Sequence, residues 1–332
     1  MSVVFVTGGA GYIGSHMCKL LARAGHQPVA LDNLSTGRAE AVRFGPLEQL
    51  DLTDADALRA AFARHRPEVV LHFAAFSQVG EAMVEPGKYW RNNVLGALTL
   101  IEAMLEADCK RMVFSSTCAV YGEHDGVTLD EDTAQAPLNA YGASKRAIED
   151  MLRDFGASHD LRAVVFRYFN VAGADPETEI GEAHDPETHL IPVMLQAVAG
   201  MRHELMIHGT DYDTPDGTCI RDYVHVMDLV RAHLLGLEWL AAGRESRVFN
   251  LGTGQGFSVG EVIERAAAVT GAPVPVRFGP RRAGDATRLV SGSRRADAEL
   301  GWRPEATLEE MIRDAWAWHK RLHGNSAPDK ID

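Results

Sequence analysis

Ser115-Ser116-Thr117, Tyr141 and Lys145 are the residues of this chain best suited to moving a proton. Tyr141 and Lys145 are four apart, which puts them on one face of a helix. A free tyrosine titrates near ~10. A nearby ammonium favours the phenolate and lowers that value, so the tyrosine becomes a general base for an alcohol or sugar hydroxyl. A tyrosine–lysine pair at this spacing alone reads more readily as an ordinary helix N-terminus. Its weight comes from the elements around it. RMVFSS (Arg111–Ser116) reads as a strand ending at the hydroxyl cluster. In an open parallel sheet, ligands sit beyond the carboxyl ends of the strands.

The elements that must position these groups begin at the N-terminus. SVVFVT (Ser2–Thr7) has the composition of a buried parallel strand. Gly8-Gly9-Ala10-Gly11-Tyr12-Ile13-Gly14 follows at once, and Ile13–Arg23 has helical periodicity. Strand, glycine turn and helix in that order form the dinucleotide fingerprint. The glycines leave room for a pyrophosphate, and the helix N-terminus offers it unpaired N–H groups. QPVALD (Gln27–Asp32) reads as the second strand, with its acid about twenty residues past the glycines. A carboxylate there accepts hydrogen bonds from a ribose diol and repels a 2′-phosphate. That points to NAD, with Arg38 the one nearby residue that suits NADP.

Strand and helix signals then alternate, predicting an α/β fold with a doubly wound, Rossmann-type parallel sheet. Expected strands cover Leu47–Leu52, Val69–Ala74, Arg111–Ser116 and Arg162–Asn170. Expected helices cover Ala55–His65, Lys88–Ala107 and Tyr141–Ser158. Ala172–His189 reads as a long loop, and loops of that length are functional or disordered. Ile191–Gly200, Val259–Val269 and Leu308–His319 return to helix, Asp222–Leu240 passes from strand to helix, and Val248–Leu251 is a short strand. Trp316 and Trp318 read as packing residues, and the tail after His323 as mobile. The expected division is a nucleotide domain over 1–170, with returning segments near 219–252, and a smaller C-terminal α/β substrate domain over 171–332.

Composition narrows the function. The formal charge of −13 over 332 residues argues against a binder of nucleic-acid backbones. The four cysteines, Cys18, Cys109, Cys118 and Cys219, lack metal spacing and suggest a reducing, cytoplasmic setting. Met1–Ala10 lacks a signal-peptide pattern, and no apolar run is long enough to span a bilayer. His184 and His189 read as solvated loop residues, so no metal is expected.

Several stretches together resemble the extended short-chain dehydrogenases/reductases, in their UDP-sugar 4-epimerase branch. They are TGGAGYIGSH (Thr7–His16), LDNLSTG (Leu31–Gly37), FAAFSQVGE (Phe73–Glu81), FSSTCAVYG (Phe114–Gly122) and YGASK (Tyr141–Lys145). RYFNVAGA (Arg167–Ala174), DGTCIRDYVHVMDL (Asp216–Leu229), NLGTG (Asn250–Gly254) and PRRAGD (Pro280–Asp285) complete the set. The resemblance implies an NAD site lined by Gly8, Gly11, Tyr12, Ile13, Gly14, Asp32, Asn33, Asp51, Leu52, Phe73, Ala74, Ala75, Asn92 and Phe169. It assigns catalysis to Thr117, Tyr141 and Lys145. It gives the nucleotide sugar to Asn170, Leu190, His208, Arg221, Arg282, Asp285 and Leu289. Guanidinium pairs suit a diphosphate on their own chemistry. Ser77 stands where some members carry a lysine near the nicotinamide ribose, and His208 where some place a phenylalanine against uracil.

The implied reaction is oxidation at C4 of the sugar, turning of the 4-keto sugar, and reduction on its other face. UDP-glucose and UDP-galactose are the default pair, with N-acetylhexosamine, pentose and uronic acid forms open. A nucleotide-sugar 4,6-dehydratase is the competing enzyme, but members of that class carry Asp-Glu after the threonine, and Cys118-Ala119 stands here. A non-catalytic NAD sensor would have no use for both Tyr141 and Lys145. Pairing of the two long helices in related proteins implies a homodimer.

Overall fold

Val4 and Val6 are buried against one helical layer and Phe5 against the other, the period-two alternation of a strand covered on both faces. They belong to β1 (Val3–Thr7), which leads into α1 (Tyr12–Arg23), β2 (Gln27–Asp32), β3 (Leu47–Gln49), α2 (Ala55–His65) and β4 (Val69–His72). The chain continues through α3 (Val79–Val84), α4 (Pro86–Tyr89), a π-helical stretch Trp90–Leu95, and α5 (Gly96–Glu106). β5 (Arg111–Thr117), α6 (Ala140–His159) and β6 (Arg162–Tyr168) follow. The later elements are β7 (Asn170–Ala172), α7 (Leu190–Val198), β8 (Leu205–His208), β9 (Ile220–His225), α8 (Val226–Ala241) and β10 (Arg247–Leu251). β11 (Gly256–Ser258), α9 (Val259–Thr270), β12 (Val276–Gly279), β13 (Arg288–Leu289) and α10 (Leu308–His323) end the chain. This computed structural model describes residues 1–124, 128–282 and 285–324.

The large sheet has seven parallel strands in the order β10-β6-β5-β4-β1-β2-β3. The order reverses between β1 and β4, and that reversal opens a crevice at their carboxyl ends. Met17 and Leu21 of α1 and Leu229 and Leu237 of α8 cover one face. Phe62 of α2, Leu100 and Met104 of α5 and Ile148 of α6 cover the other. A second sheet holds β11, β9, β13 and β7, and β12 pairs with β8. α7, α9 and α10 share a core of their own through Met194, Val262, Met311 and Ile312.

Three expected elements differ in the structure. Arg162–Asn170 is two strands, because β6 stays in the large sheet while β7 pairs with β9. Lys88–Ala107 is broken by the π-helical stretch. There Asn93, 1% exposed, hydrogen-bonds the backbone of Phe76 (2.9 and 3.1 Å) and Ser144 Oγ (3.0 Å). The third strand stops at Gln49, and Asp51 beyond it accepts from Thr53 N at 2.8 Å and Thr53 Oγ1 at 2.7 Å. The chain also returns to the large sheet near its end, where Trp302 is buried in the α1/α8 layer. Trp318 packs on Gly181 and donates to Glu182 O at 2.8 Å. Ala283 and Gly284 of the PRRAGD stretch and the tail beyond Gly324 lie outside the described residues. Among the described residues no helix is long and apolar enough to cross a membrane.

Candidate active site

One cleft of about 580 Å³ runs along the carboxyl ends of the central strands. Gly8, Gly11, Tyr12, Ile13 and Gly14 form its floor at the end of β1. Gly8 adopts φ +70°, and a Cβ there would lie 2.8 Å from Ala74 N. A Cβ on Gly14 would lie 2.1 Å from Gly8 O. Glycine is therefore required for the turn and for its approach to the Phe73–Ala75 segment, which also lines the cleft. Gly11 caps α1 without a side-chain hydrogen bond, leaving the first-turn N–H groups to a ligand. Tyr12 is tied down by donation from its hydroxyl to Gly173 O at 2.6 Å.

Asp32 ends β2 beside this floor. Its carboxylate accepts from Ala10 N at 3.0 Å and Leu34 N at 2.8 Å. Burial raises its pKa and the two N–H groups oppose the rise. Each carboxylate oxygen keeps lone-pair capacity for a diol. Asn33 donates to Asp51 Oδ2 at 2.8 Å, and both line the cleft with Leu52. Asn92 and Phe169 line it further along. This glycine cradle, with an acid at the end of the neighbouring strand, fits a dinucleotide.

Thr117 ends β5, and Tyr141 and Lys145 rise from the first turns of α6, capped by Asn139 accepting from Gly142 N at 2.9 Å. Tyr141 and Thr117 both line the cleft, and Thr117 Oγ1 accepts from Ala119 N at 3.1 Å. Lys145 is 2% exposed and donates to Ser115 O at 2.8 Å. Burial pushes the Tyr141 phenol well above its ordinary value, the Tyr168 phenol adds to this, and the Thr117 hydroxyl opposes it. Burial also pulls Lys145 down to about 7, against the raising effect of Glu149. The expected lowering of Tyr141 by Lys145 is thus not what the protein alone produces. Both groups are dry, and a dry site disfavours each charged form. The trio can relay a proton through a hydroxyl pair at a strand end.

The far end of the cleft is polar. Arg221 of β9 approaches Asp285 Oδ1 at 3.9 Å, and Arg282 Nε donates to Asp285 Oδ2 at 3.2 Å. Asn170 and Leu190, the first residues of β7 and α7, line the wall with Leu289 of β13. Leu289 also packs against a small core containing Cys118, Tyr121 and Phe169. His208 is not among the cleft-lining residues; it ends β8, opposite Gly279, where Arg282 lowers its pKa after burial. Ser77 lines the cleft.

Residues 4–252 match the NAD dependent epimerase/dehydratase family. The chain belongs to that family. A UDP-glucose 4-epimerase of Rhizobium meliloti is 48% identical over 318 residues, covering 96% of this chain and 97% of its own. A solved UDP-glucose 4-epimerase from Brucella ovis, in complex with NAD, superposes with a TM-score of 0.92 at 45% identity. That match covers 96% of this chain and 98% of the other. The UDP-Glc/GlcNAc 4-epimerase of Campylobacter jejuni superposes with a TM-score of 0.83 at 40% identity, covering 97% and 100%.

Within this epimerase/dehydratase pattern, Asp222 within its DGTCIRDYVHVMDL stretch, and Arg167 and Glu149, hold the site without being marked as site residues by the sequence motifs. Asp222, fully buried, accepts from Thr253 N (2.8 Å), Gly254 N (3.0 Å) and Ser291 N (3.1 Å), so the NLGTG glycines are a packed turn. Arg167 donates to Glu149 at 2.6 Å and to Tyr121 OH at 3.0 Å, and Ser116 donates to Glu149 at 2.5 Å. The signal was present as charge inside an apolar strand. His184 and His189 also differ from expectation. Both line the cleft, and both contact Glu182, which is 6% exposed at its side chain. Their loop folds its acids inward, so the imidazoles are partnered rather than merely solvated.

Proposed function

We propose that the protein is a UDP-glucose 4-epimerase that interconverts UDP-glucose and UDP-galactose with NAD as resident cofactor. The observation that carries this is that Thr117, Tyr141 and Lys145 line one cleft together with a dinucleotide cradle and an arginine-rich end. Gly8–Gly14 would hold the pyrophosphate, and Asp32 the adenosine ribose. Asn92 and Lys145 would face the nicotinamide half. NAD, when bound, supplies the hydride acceptor at C4 and a positive charge beside the phenol.

Tyr141 takes the proton of the sugar 4-hydroxyl. Its neutral form is favoured by burial, so the adjacent positive charge must draw it toward phenolate. Thr117 bonds the same oxygen and steadies the proton. Lys145 is fixed by donation to Ser115 O, and burial pulls it down to about 7 against the raising effect of Glu149, so it titrates close to neutrality beside the phenol. Arg221 and Arg282 grip the diphosphate by charge-assisted bonds. Leu190 and Leu289 offer the sugar few polar contacts, so the 4-keto sugar can turn while UDP stays anchored. Tyr141 then returns the proton to the new alcohol.

The division into a nucleotide domain over 1–170 with segments near 219–252, and a substrate domain over 171–332, is supported by the separate core of α7, α9 and α10. A homodimer through α5 and α6 is supported by exposed Trp90 and Leu95 beside them. A cytoplasmic setting suits four buried, unpaired cysteines. The test is incubation of purified protein with a panel of UDP-sugars and no added NAD. UDP-glucose and UDP-galactose should interconvert fastest. Elimination of water, or no turnover with cofactor present, would overturn the assignment.

A further inference from the structure

We propose that Glu182, His184, Glu187 and His189 form a structural zinc site at the hinge between the long loop and α7. One ligand atom from each residue lies within 4.8 Å of all the others. His184 Nδ1 is 3.1 Å from Glu182 Oε1 and 3.7 Å from Glu187 Oε2. His189 Nδ1 is 3.7 Å from Glu187 Oε1 and in direct contact with Glu182 Oε1. Zinc bonds of about 2.0–2.1 Å in a tetrahedron set neighbouring donor atoms about 3.4 Å apart. The separations of His184 Nδ1 from Glu182 Oε1 and from Glu187 Oε2 straddle that spacing, while the His189–Glu182 contact must lengthen to admit an ion.

The carboxylates are buried, with side-chain exposures of 6% for Glu182 and 3% for Glu187. Among the described residues neither is paired with a lysine or arginine. The other candidate cluster among the described residues, Asp175, Glu177 and Glu179, is filled by the Lys19 ammonium at 2.6, 2.9 and 2.7 Å. Against burial, Glu182 and Glu187 hold the pKa of both imidazoles up, so an ion would displace their protons; the two carboxylates and two neutral imidazoles then left match the charge of a divalent ion, and this nitrogen–oxygen donor set suits zinc.

The surroundings fix the ligands. Thr188 N and His189 N donate to Glu187 Oε1 at 2.8 and 3.0 Å, leaving Oε2 for an ion. Trp318 Nε1 holds Glu182 O at 2.8 Å, and Arg202 holds Glu187 O at 3.0 Å. Such outer bonds orient metal ligands. A cavity of about 60 Å³, lined by Glu182, His184, Glu187 and His319, gives an entry path. His319 is 7% exposed, and its Nε2 has no hydrogen-bond partner among the described residues. The ion would tie the loop to the start of α7, where Leu190 enters the cleft wall. It takes no part in the chemistry.

Purified full-length protein should be stripped with chelator, then dialysed against zinc or cobalt(II). One zinc per chain is expected by elemental analysis, with the visible spectrum of tetrahedral cobalt and a raised Tm on loading. His189→Asn and Glu182→Gln should each weaken zinc binding about 100-fold or more and abolish the cobalt spectrum. Circular dichroism establishes that each variant is folded. Wild-type protein that binds no zinc, or folded variants that bind it as tightly as wild type, would overturn the proposal.

Discussion

Tyr141 is asked to be a base in a site that, by itself, keeps it protonated. Its work therefore depends on neighbouring charge. Tyr141→Phe should lower kcat by about 10²–10⁴-fold while the bound dinucleotide, followed by its absorbance, is retained. A variant with more than about a tenth of wild-type rate would remove the base role. Leu289 touches both the cleft and a small core. If it gates the sugar, Leu289→Tyr should suppress turnover of the N-acetylated pair selectively, on the scale of about 1–3 kcal/mol. Comparison of kcat/KM for both pairs decides, and an unchanged ratio excludes the gate. The placing of Tyr141 and Lys145 on one helix was legible because residues four apart need only a helix to share a face. The buried pKa values were not, because dryness is a property of the packed site.

At the scale of elements, Arg167 joins β6 to α6 through Glu149, with both side chains below a tenth exposed. Arg167→Met leaves that carboxylate without its partner. It should lower unfolding free energy by about 3–5 kcal/mol, read from the urea midpoint at constant slope. A loss under about 1 kcal/mol would mean that Ser116 and Gln135, which also bond Glu149, hold it unaided. Local pattern sufficed where a single element carries its own signal. α2 starts after Asp54, which caps Asp56 N and Ala57 N, and ends at His65 as read from the sequence. β2 likewise keeps its expected limits. The pattern failed where partners are distant. The valine- and aromatic-rich run continues from Arg162 to Asn170, yet the chain changes sheets at Phe169, where β7 pairs with β9. The π-helical break depends on Phe76 and Ser144, neither adjacent in sequence to Asn93.

Across the whole molecule, the two helical layers bury neutral histidines. Burial pulls His16 and His233 down to about 4 and His72 to about 3. An unfolded histidine titrates near ~6.5, so between about pH 6.5 and 4 the unfolded chain binds more protons. Stability from these groups is complete above that window and is lost as pH falls through it. Three such groups give a slope of about 3–4 kcal/mol per pH unit near pH 5.5. Urea titrations across this range should show it, and a flat profile would mean that the histidines charge without unfolding. The layered α/β architecture was legible from alternation alone. The return of Trp302 to the large sheet was not, because one buried tryptophan in a late loop carries no period.

In the proposed reaction Tyr141 and Thr117 move only the hydroxyl proton, while the hydrogen on C4 leaves and returns within one cleft. UDP-galactose carrying deuterium at C4, turned over in ordinary water without added NAD, tests it directly. UDP-glucose should form with deuterium still at C4. UDP-glucose that has exchanged this deuterium for solvent hydrogen would rule this reaction out.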